Sequence, residues 1–299
     1  MRLYDTAKGE VVPFEPGRVV TMYTCGITPY DATHIGHAAT YVTYDVLQRR
    51  LRDRGHETRC VRNVTDVDDD ILRKARQLGT HYLDLAAAEL ARFERDMTAL
   101  GLLPCWSEPR ATSAIPDIRG FIAMVLDRGH AYVSEGGVYF EVATFERFGC
   151  ISHLDRDTML ELAAERGGRP DDPAKRDPLD FVLWQPSEPG EPSWDSMWGA
   201  GRPGWHVECS ALALRELGTT IDLHGGGGGL DLPPSRVRER TVRGGDGGAV
   251  RPTLDASGHG PQGRGEDVQV PREPGLRLGR ARGVGADGAP AAARVASLP

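Results

Sequence analysis

Four groups of residues carry chemistry in their types and spacing. His34-Ile35-Gly36-His37 sets two imidazoles around a glycine, after a strand-like stretch and just before a helical pattern. At a helix N-terminus the free N–H groups and the dipole favour phosphate. Imidazoles there add donors for charge developing at an α-phosphate, which suits ATP, and the glycine admits a base close to the backbone. The second group is a distant pair, Cys25 and the cysteine of Gly204-Trp205-His206-Val207-Glu208-Cys209-Ser210. Brought to the carboxyl rim of a parallel sheet, two thiolates can hold zinc, with His or Glu completing the tetrahedron and one position open for a substrate thiol. Taken without their neighbours, the same two residues read as buried structural cysteines. The third group, Asn63-Val64-Thr65-Asp66-Val67-Asp68-Asp69-Asp70, suits either a cation or a helix N-terminus, and composition favours the helix. The fourth, Glu165-Arg166-Gly167-Gly168-Arg169-Pro170, reads as a helix stop and a flexible loop. Cys60, Cys105 and Cys150 lack such company and are expected to be packing residues.

These groups need elements to position them. The β-branched, apolar residues 19–25 predict a buried strand, followed by the turn-rich Gly26-Ile27-Thr28-Pro29-Tyr30-Asp31. A helix is predicted after His37, with Val42, Val46, Leu47 and Leu51 on one side, and a second strand over 58–61. Strand, loop, helix, strand opens a parallel α/β sheet. Helices are predicted over 71–77, 83–100 and 116–128, a hairpin over 131–142 around Glu135-Gly136-Gly137, a short helix over 157–166, and a strand over 220–223 entering the glycine run 225–229.

Composition bounds the rest. The chain has 299 residues, 39% hydrophobic and 26% charged, enough for one large domain or a domain with an insertion. The net charge of −7 gives no general pull toward nucleic-acid backbones. No signal peptide and no membrane-length apolar run is evident, so a cytoplasmic location is expected. Five widely spaced cysteines suit metal binding or burial better than a disulfide framework.

Taken together, Tyr23-Thr24-Cys25-Gly26, His34-Ile35-Gly36-His37, residues 63–69, residues 204–210 and His224-Gly225-Gly226-Gly227 resemble the cysteinyl-tRNA synthetase superfamily over residues 20–229. Cysteinyl-tRNA synthetases usually read C-G-P-T-V-Y-D-x-x-H-I-G-N-A-R. This chain reads Cys25-Gly26-Ile27-Thr28-Pro29-Tyr30-Asp31-Ala32-Thr33-His34-Ile35-Gly36-His37-Ala38-Ala39-Thr40-Tyr41, similar to the ligases that join cysteine to glucosaminyl-inositol in mycothiol synthesis. Residues 165–170 are similar to those ligases' E-R-G-G-D-P signature, with Arg169 in place of Asp.

The resemblance implies a Rossmann-like class I synthetase catalytic domain over 1–229, α/β in class, with a helical and hairpin insertion over roughly 95–190. It implies that Cys25 and Cys209 bind one zinc ion, and that residues 34–37 handle ATP, with His34 and His37 catalytic. Thr40, Asn63, Val64, Thr65 and Trp205 would line a cysteinyl-adenylate pocket, and Gly26, Ile27, Thr28, Gly227 and Gly228 would join it. Cysteine carboxylate would attack the α-phosphate of ATP, giving cysteinyl-AMP and diphosphate. The amine of glucosaminyl-inositol would then attack the acyl carbon, releasing AMP. A monomer is expected, with neither tRNA nor a membrane as partner. The competing readings are a cysteinyl-tRNA synthetase, which would need a helical anticodon-binding domain, and a truncated product with little activity.

From Leu230 on, Pro, Gly, Arg and Asp dominate and aromatics vanish, so residues 230–299 are expected to lack the apolar surface that ordering requires. The resemblance leads one to expect D-L-x-F-P-H-H-E and then K-M-S-K-S here. Both can be recovered one base out of frame. Pro234-Ser235-Arg236-Val237 written CCA-TCA-CGA-GTG yields His-His-Glu. Residues 266–271 written GAA-GAT-GTC-CAA-GTC-C yield Lys-Met-Ser-Lys-Ser. A single-base slip within the glycine codons of residues 225–229 is therefore expected. As translated, the chain would lack a third, histidine zinc ligand and the lysine loop on the diphosphate side, giving weak zinc binding and little adenylation.

Overall fold

The computed structural model describes residues 1–165 and 167–226. A hairpin of β1 (Arg2–Asp5) and β2 (Glu10–Pro13) precedes β3 (Val19–Ile27), α1 (Ile35–Asp53), β4 (Glu57–Val64), α2 (Asp69–Leu78), α3 (Tyr82–Ala99) and α4 (Ile115–Asp127). Then come β5 (Ala131–Ser134), β6 (Gly137–Phe140), α5 (Arg156–Glu165), β7 (Phe181–Pro186), β8 (Gly201–Pro203), α6 (Trp205–Leu217) and β9 (Leu223–Gly225). Strands β4-β3-β9 form a parallel sheet, with Met22 opposite Cys60 and Tyr23 opposite His224. α1 is the crossover that parallel pairing of β3 and β4 requires. Strands β5-β6-β7-β8 form an antiparallel sheet. The expected α/β class and Rossmann-like parallel sheet are thus present.

One core joins these layers. It packs Tyr23, Cys25 and Val61 of the parallel sheet with Ile118 and Ile122 of α4, Phe140 and Trp184 of the antiparallel sheet, and Val207, Cys209 and Leu212 of α6. Each fully buried aliphatic or aromatic side chain of this kind contributes roughly 1.5–3 kcal/mol. Both cysteines of the expected metal pair therefore belong to this shared core.

Three expectations change. α1 buries Tyr41, Asp45, Gln48 and Leu51 rather than the side marked by Val42 and Val46, and Val46 is 58% exposed. The helix turns inward on a carboxylate because Asp45 is satisfied there, accepting from Leu103 N at 2.7 Å and Arg49 Nε at 2.6 Å. The last strand starts at Leu223 because Asp222 is already committed to capping β3. Its carboxylate accepts from both the amide and the hydroxyl of Thr21, each at 2.8 Å. Cys150 is exposed, so it is not a packing residue. The glycine positions 227–229, Arg166 and the tail from residue 230, with the expectations attached to them, lie outside the described residues.

Candidate functional site

Cys25 is near the carboxyl end of β3. Cys209 is on α6, an element that the even spread of apolar residues over 207–213 hides from periodicity, since that stretch is buried all round. The two sulfurs are 3.9 Å apart. Two thiolates on one tetrahedral zinc at about 2.3 Å each would be about 3.8 Å apart, so the spacing fits a shared metal without rearrangement. His224 Nε2 is 3.7 Å from the Cys25 sulfur. In the sequence this histidine stands out only as the first residue of His224-Gly225-Gly226-Gly227. The register of β9 against β3, which no local signal carries, turns it toward the thiols. Among the described residues no three His, Cys, Asp or Glu side chains converge closely enough to enclose a metal ion.

Asn63 ties the pair to the sheet. Its Oδ1 accepts from Gly26 N at 2.8 Å and stands 3.7 Å from the Cys209 sulfur, while its Nδ2 donates to Thr65 Oγ1 at 3.2 Å. Thr65 N donates to Ile27 O at 3.0 Å, and Ile27 pairs with Val64 across the strands. Gly26 is obligatory: a Cβ there would lie 1.4 Å from Asn63 O. Thr28 follows at the end of β3, half-buried. Trp205 precedes Cys209 by one helical turn, so both share a face of α6. Glu208 is completely buried, and burial first, then Cys209 and Asp68, push its carboxyl well above the usual range. Burial does the same to the Tyr23 hydroxyl beside the thiols.

The histidines cap α1 reciprocally. His34 Nδ1 accepts from Gly36 N at 3.1 Å, and His37 Nδ1 accepts from His34 N at 3.4 Å, with the rings stacked 4.0 Å apart. With both Nδ1 atoms accepting, each neutral ring carries its proton on Nε2, which is left to donate outward. Burial, then His34, lowers the His37 pKa. Thr40 donates to Gly36 O at 3.1 Å, one turn along. The next residue, Tyr41, donates its hydroxyl to Cys25 O at 3.3 Å and so links the α1 end to the thiol end.

The acidic run serves the helix. Asp68 caps α2 by accepting from Asp70 N at 2.7 Å and Ile71 N at 3.2 Å. Asp69 pairs with Arg202 and Asp70 with Arg73, and Asp66 accepts from Thr112 N at 2.9 Å. At the other edge, Tyr44 Oη accepts from Gly226 N at 2.7 Å and donates to Gly226 O at 3.0 Å, fixing the entry to the glycine run.

Comparison with known proteins places these features in a family context. The family model for the tRNA synthetases class I (C) catalytic domain matches residues 11–238. The chain is 50% identical over 237 residues to "L-cysteine:1D-myo-inositol 2-amino-2-deoxy-alpha-D-glucopyranoside ligase" of Nocardia farcinica, covering 78% of this chain and 58% of that protein. It is 47% identical over 248 residues to the like-named protein of Nocardiopsis dassonvillei, covering 83% and 61%. The chain thus spans about three fifths of the length of these curated relatives. Among solved structures, Mycobacterium tuberculosis methionyl-tRNA synthetase in complex with methionyl-adenylate aligns with a TM-score of 0.47 at 15% identity, covering 68% of this chain and 47% of that one.

Proposed function

We propose a function from one premise: the chain belongs to the class I (C) tRNA synthetase catalytic-domain family. Its reaction is ATP-dependent activation of L-cysteine as cysteinyl-AMP, with diphosphate released, followed by transfer to the amine of glucosaminyl-inositol. The observation that carries this reading is the pair of sulfurs, Cys25 and Cys209, 3.9 Å apart on β3 and α6. The relatives' printed names support the substrates.

Cys25 and Cys209 would hold zinc, whose chemistry is to grip a substrate thiol far better than a hydroxyl. Asn63, held by Gly26 and Thr65, fixes the thiol pair against β4. The α1 N-terminus would face the phosphates, with the Nε2–H groups of His34 and His37 donating to charge that grows on the α-phosphate. Thr40, Ile27, Thr28, Val64 and Trp205 would complete the adenylate pocket, with Gly227 and Gly228 contributed from beyond the described residues. The lysine loop and third ligand are expected only in the shifted frame of residues 230–299.

The test is amino-acid-dependent exchange of labelled diphosphate into ATP, run on this chain and on a chain with the frame restored. Exchange with cysteine but not serine in the restored chain, followed by AMP release on adding glucosaminyl-inositol, supports the reading. Exchange with serine as readily as cysteine, or transfer to tRNA instead of the amine, overturns it.

A further inference from the structure

The proposed reaction leaves Cys60, Cys105 and Cys150 without a role. Cys150 is exposed. Cys60 and Cys105 belong to a built environment. The stretch after α3 runs beside β4: Trp106 N donates to Cys60 O at 2.8 Å, Arg62 N donates to Ser107 O at 3.1 Å, and Val61 bridges Ser107 in parallel. That pairing brings Cys105 beside Cys60, and both side chains line the same cavity. The Cys60 sulfur is also 3.7 Å from Thr24 Oγ1.

Thr24, Gln48, Cys60, Arg62 and Cys105 line one cavity with room for about one water-sized molecule. Gln48 is only 5% exposed, and its Oε1 has no hydrogen-bond partner among the described residues. The Arg62 guanidinium is held there over the rings of Tyr41 and Phe93, at 5.0 and 4.7 Å, and is paired with Glu108. A hydroxyl, a cation and an unused carbonyl acceptor therefore surround a pair of thiols in a space suited to a very small polar molecule. The Cys105 thiol holds Cys60 below its ordinary pKa against the opposing effect of burial, with Thr24 and Arg62 assisting. Cys105 is raised in turn, by its bond to Cys60 and by burial.

We propose that Cys60 and Cys105 are a peroxide-reactive dithiol, with Cys60 the attacking and Cys105 the resolving residue. The Cys60 thiolate attacks one peroxide oxygen and the O–O bond breaks. The leaving oxygen takes up the proton that Cys60 released and departs as water, leaving Cys60 as a sulfenic acid. The Cys105 sulfur then attacks the Cys60 sulfur and the S–O bond breaks. A second water departs, carrying the Cys105 proton. Two thiols are oxidised to one disulfide, and one hydrogen peroxide is reduced to two waters. Gln48 Oε1 accepts a peroxide O–H, and Arg62 and Thr24 stabilise the thiolate. The disulfide pins the 105–107 stretch to β4, three residues from Asn63, and a small dithiol reverses it.

The experiment treats the reduced full chain with hydrogen peroxide, alkylates the remaining thiols and maps peptides by mass spectrometry. A Cys60–Cys105 cross-link that dithiothreitol removes is expected. Cys105→Ser is expected to accumulate a dimedone adduct on Cys60, and Thr24→Val to slow wild-type cross-linking about fivefold, the worth of one hydrogen bond of about 1 kcal/mol. The wild-type map stands alone should a serine variant fold poorly. Oxidation confined to Cys150, or a Cys25–Cys209 cross-link with Cys60 and Cys105 left as thiols, overturns the proposal, as does a dimedone adduct on Cys105 in Cys60→Ser at the wild-type rate.

Discussion

At the scale of single residues, the thiol centre depends on atoms that leave no room for change. Gly26 faces the Asn63 carbonyl at a separation that no Cβ tolerates. Gly26→Ala is therefore expected to destabilise the chain by about 3 kcal/mol or more, because backbone rather than a side-chain tip must move. At Gly36 the added Cβ would meet only the His34 ring, at 2.9 Å, and Gly36→Ala is expected to cost far less. Urea unfolding midpoints of the two variants compare them directly. That Cys25 and Cys209 meet was legible in the sequence, because each stands in a conspicuous motif expected at the same rim of the sheet. His224 was not, because its place beside Cys25 depends on the register of β9, which long-range pairing decides. Val64, which the resemblance implies lines the pocket, packs its side chain in a cluster with Ile27, Tyr41 and Phe93.

At the scale of elements, helix starts were legible and helix faces were not. Asp68 at the start of α2 was read as part of an N-terminal charge cluster, and it caps that helix. Burial, then Asp70, pushes its carboxyl up to about 6, above the ordinary 3.9 or so. The folded chain thus keeps a proton that the unfolded chain releases between about pH 4 and 6. Stability from this group is full below that window and is lost as pH rises through about 6. Asp68→Asn retains a capping oxygen and abolishes that loss. Its stability relative to the parent is expected to rise by about 1–2 kcal/mol between pH 4 and 7, as read from denaturation at a series of pH values. A second element-scale effect concerns β9. Gly225 lies against the Tyr44 ring, and Gly226 is bonded to the Tyr44 hydroxyl through both its amide and its carbonyl. Tyr44→Phe is expected to raise the hydrogen-exchange rate of the Gly226 amide roughly tenfold with little change in β3 and β4. The inward face of α1 stayed hidden because its centre is a satisfied carboxylate, Asp45, which a hydrophobic pattern cannot report.

At the scale of the whole molecule, a parallel sheet and an antiparallel sheet share one core, and both candidate zinc ligands are part of it. The parallel β3–α1–β4 unit was legible from a strand, a capped helix and a second strand. The β7–β8 pair and α6 were not, because strands of six and three residues and a helix buried on all sides carry little periodicity. The chain spans about three fifths of its curated relatives. Restoring the shifted frame from the glycine codons onward is expected to raise cysteine-dependent diphosphate exchange by at least about a hundredfold, the order that loss of one transition-state donor costs. Equal exchange in both versions would show that residues 230–299 need no correction. The thiol centre itself is tested most directly by titrating the protein with cobalt(II) and recording thiolate-to-metal charge-transfer absorption. Absorption matching two thiolates is expected, falling to half or less in Cys25→Ser and in Cys209→Ser and changing on addition of L-cysteine but not L-serine. Absorption that is absent, or unchanged when either cysteine is replaced, would contradict a shared metal between β3 and α6.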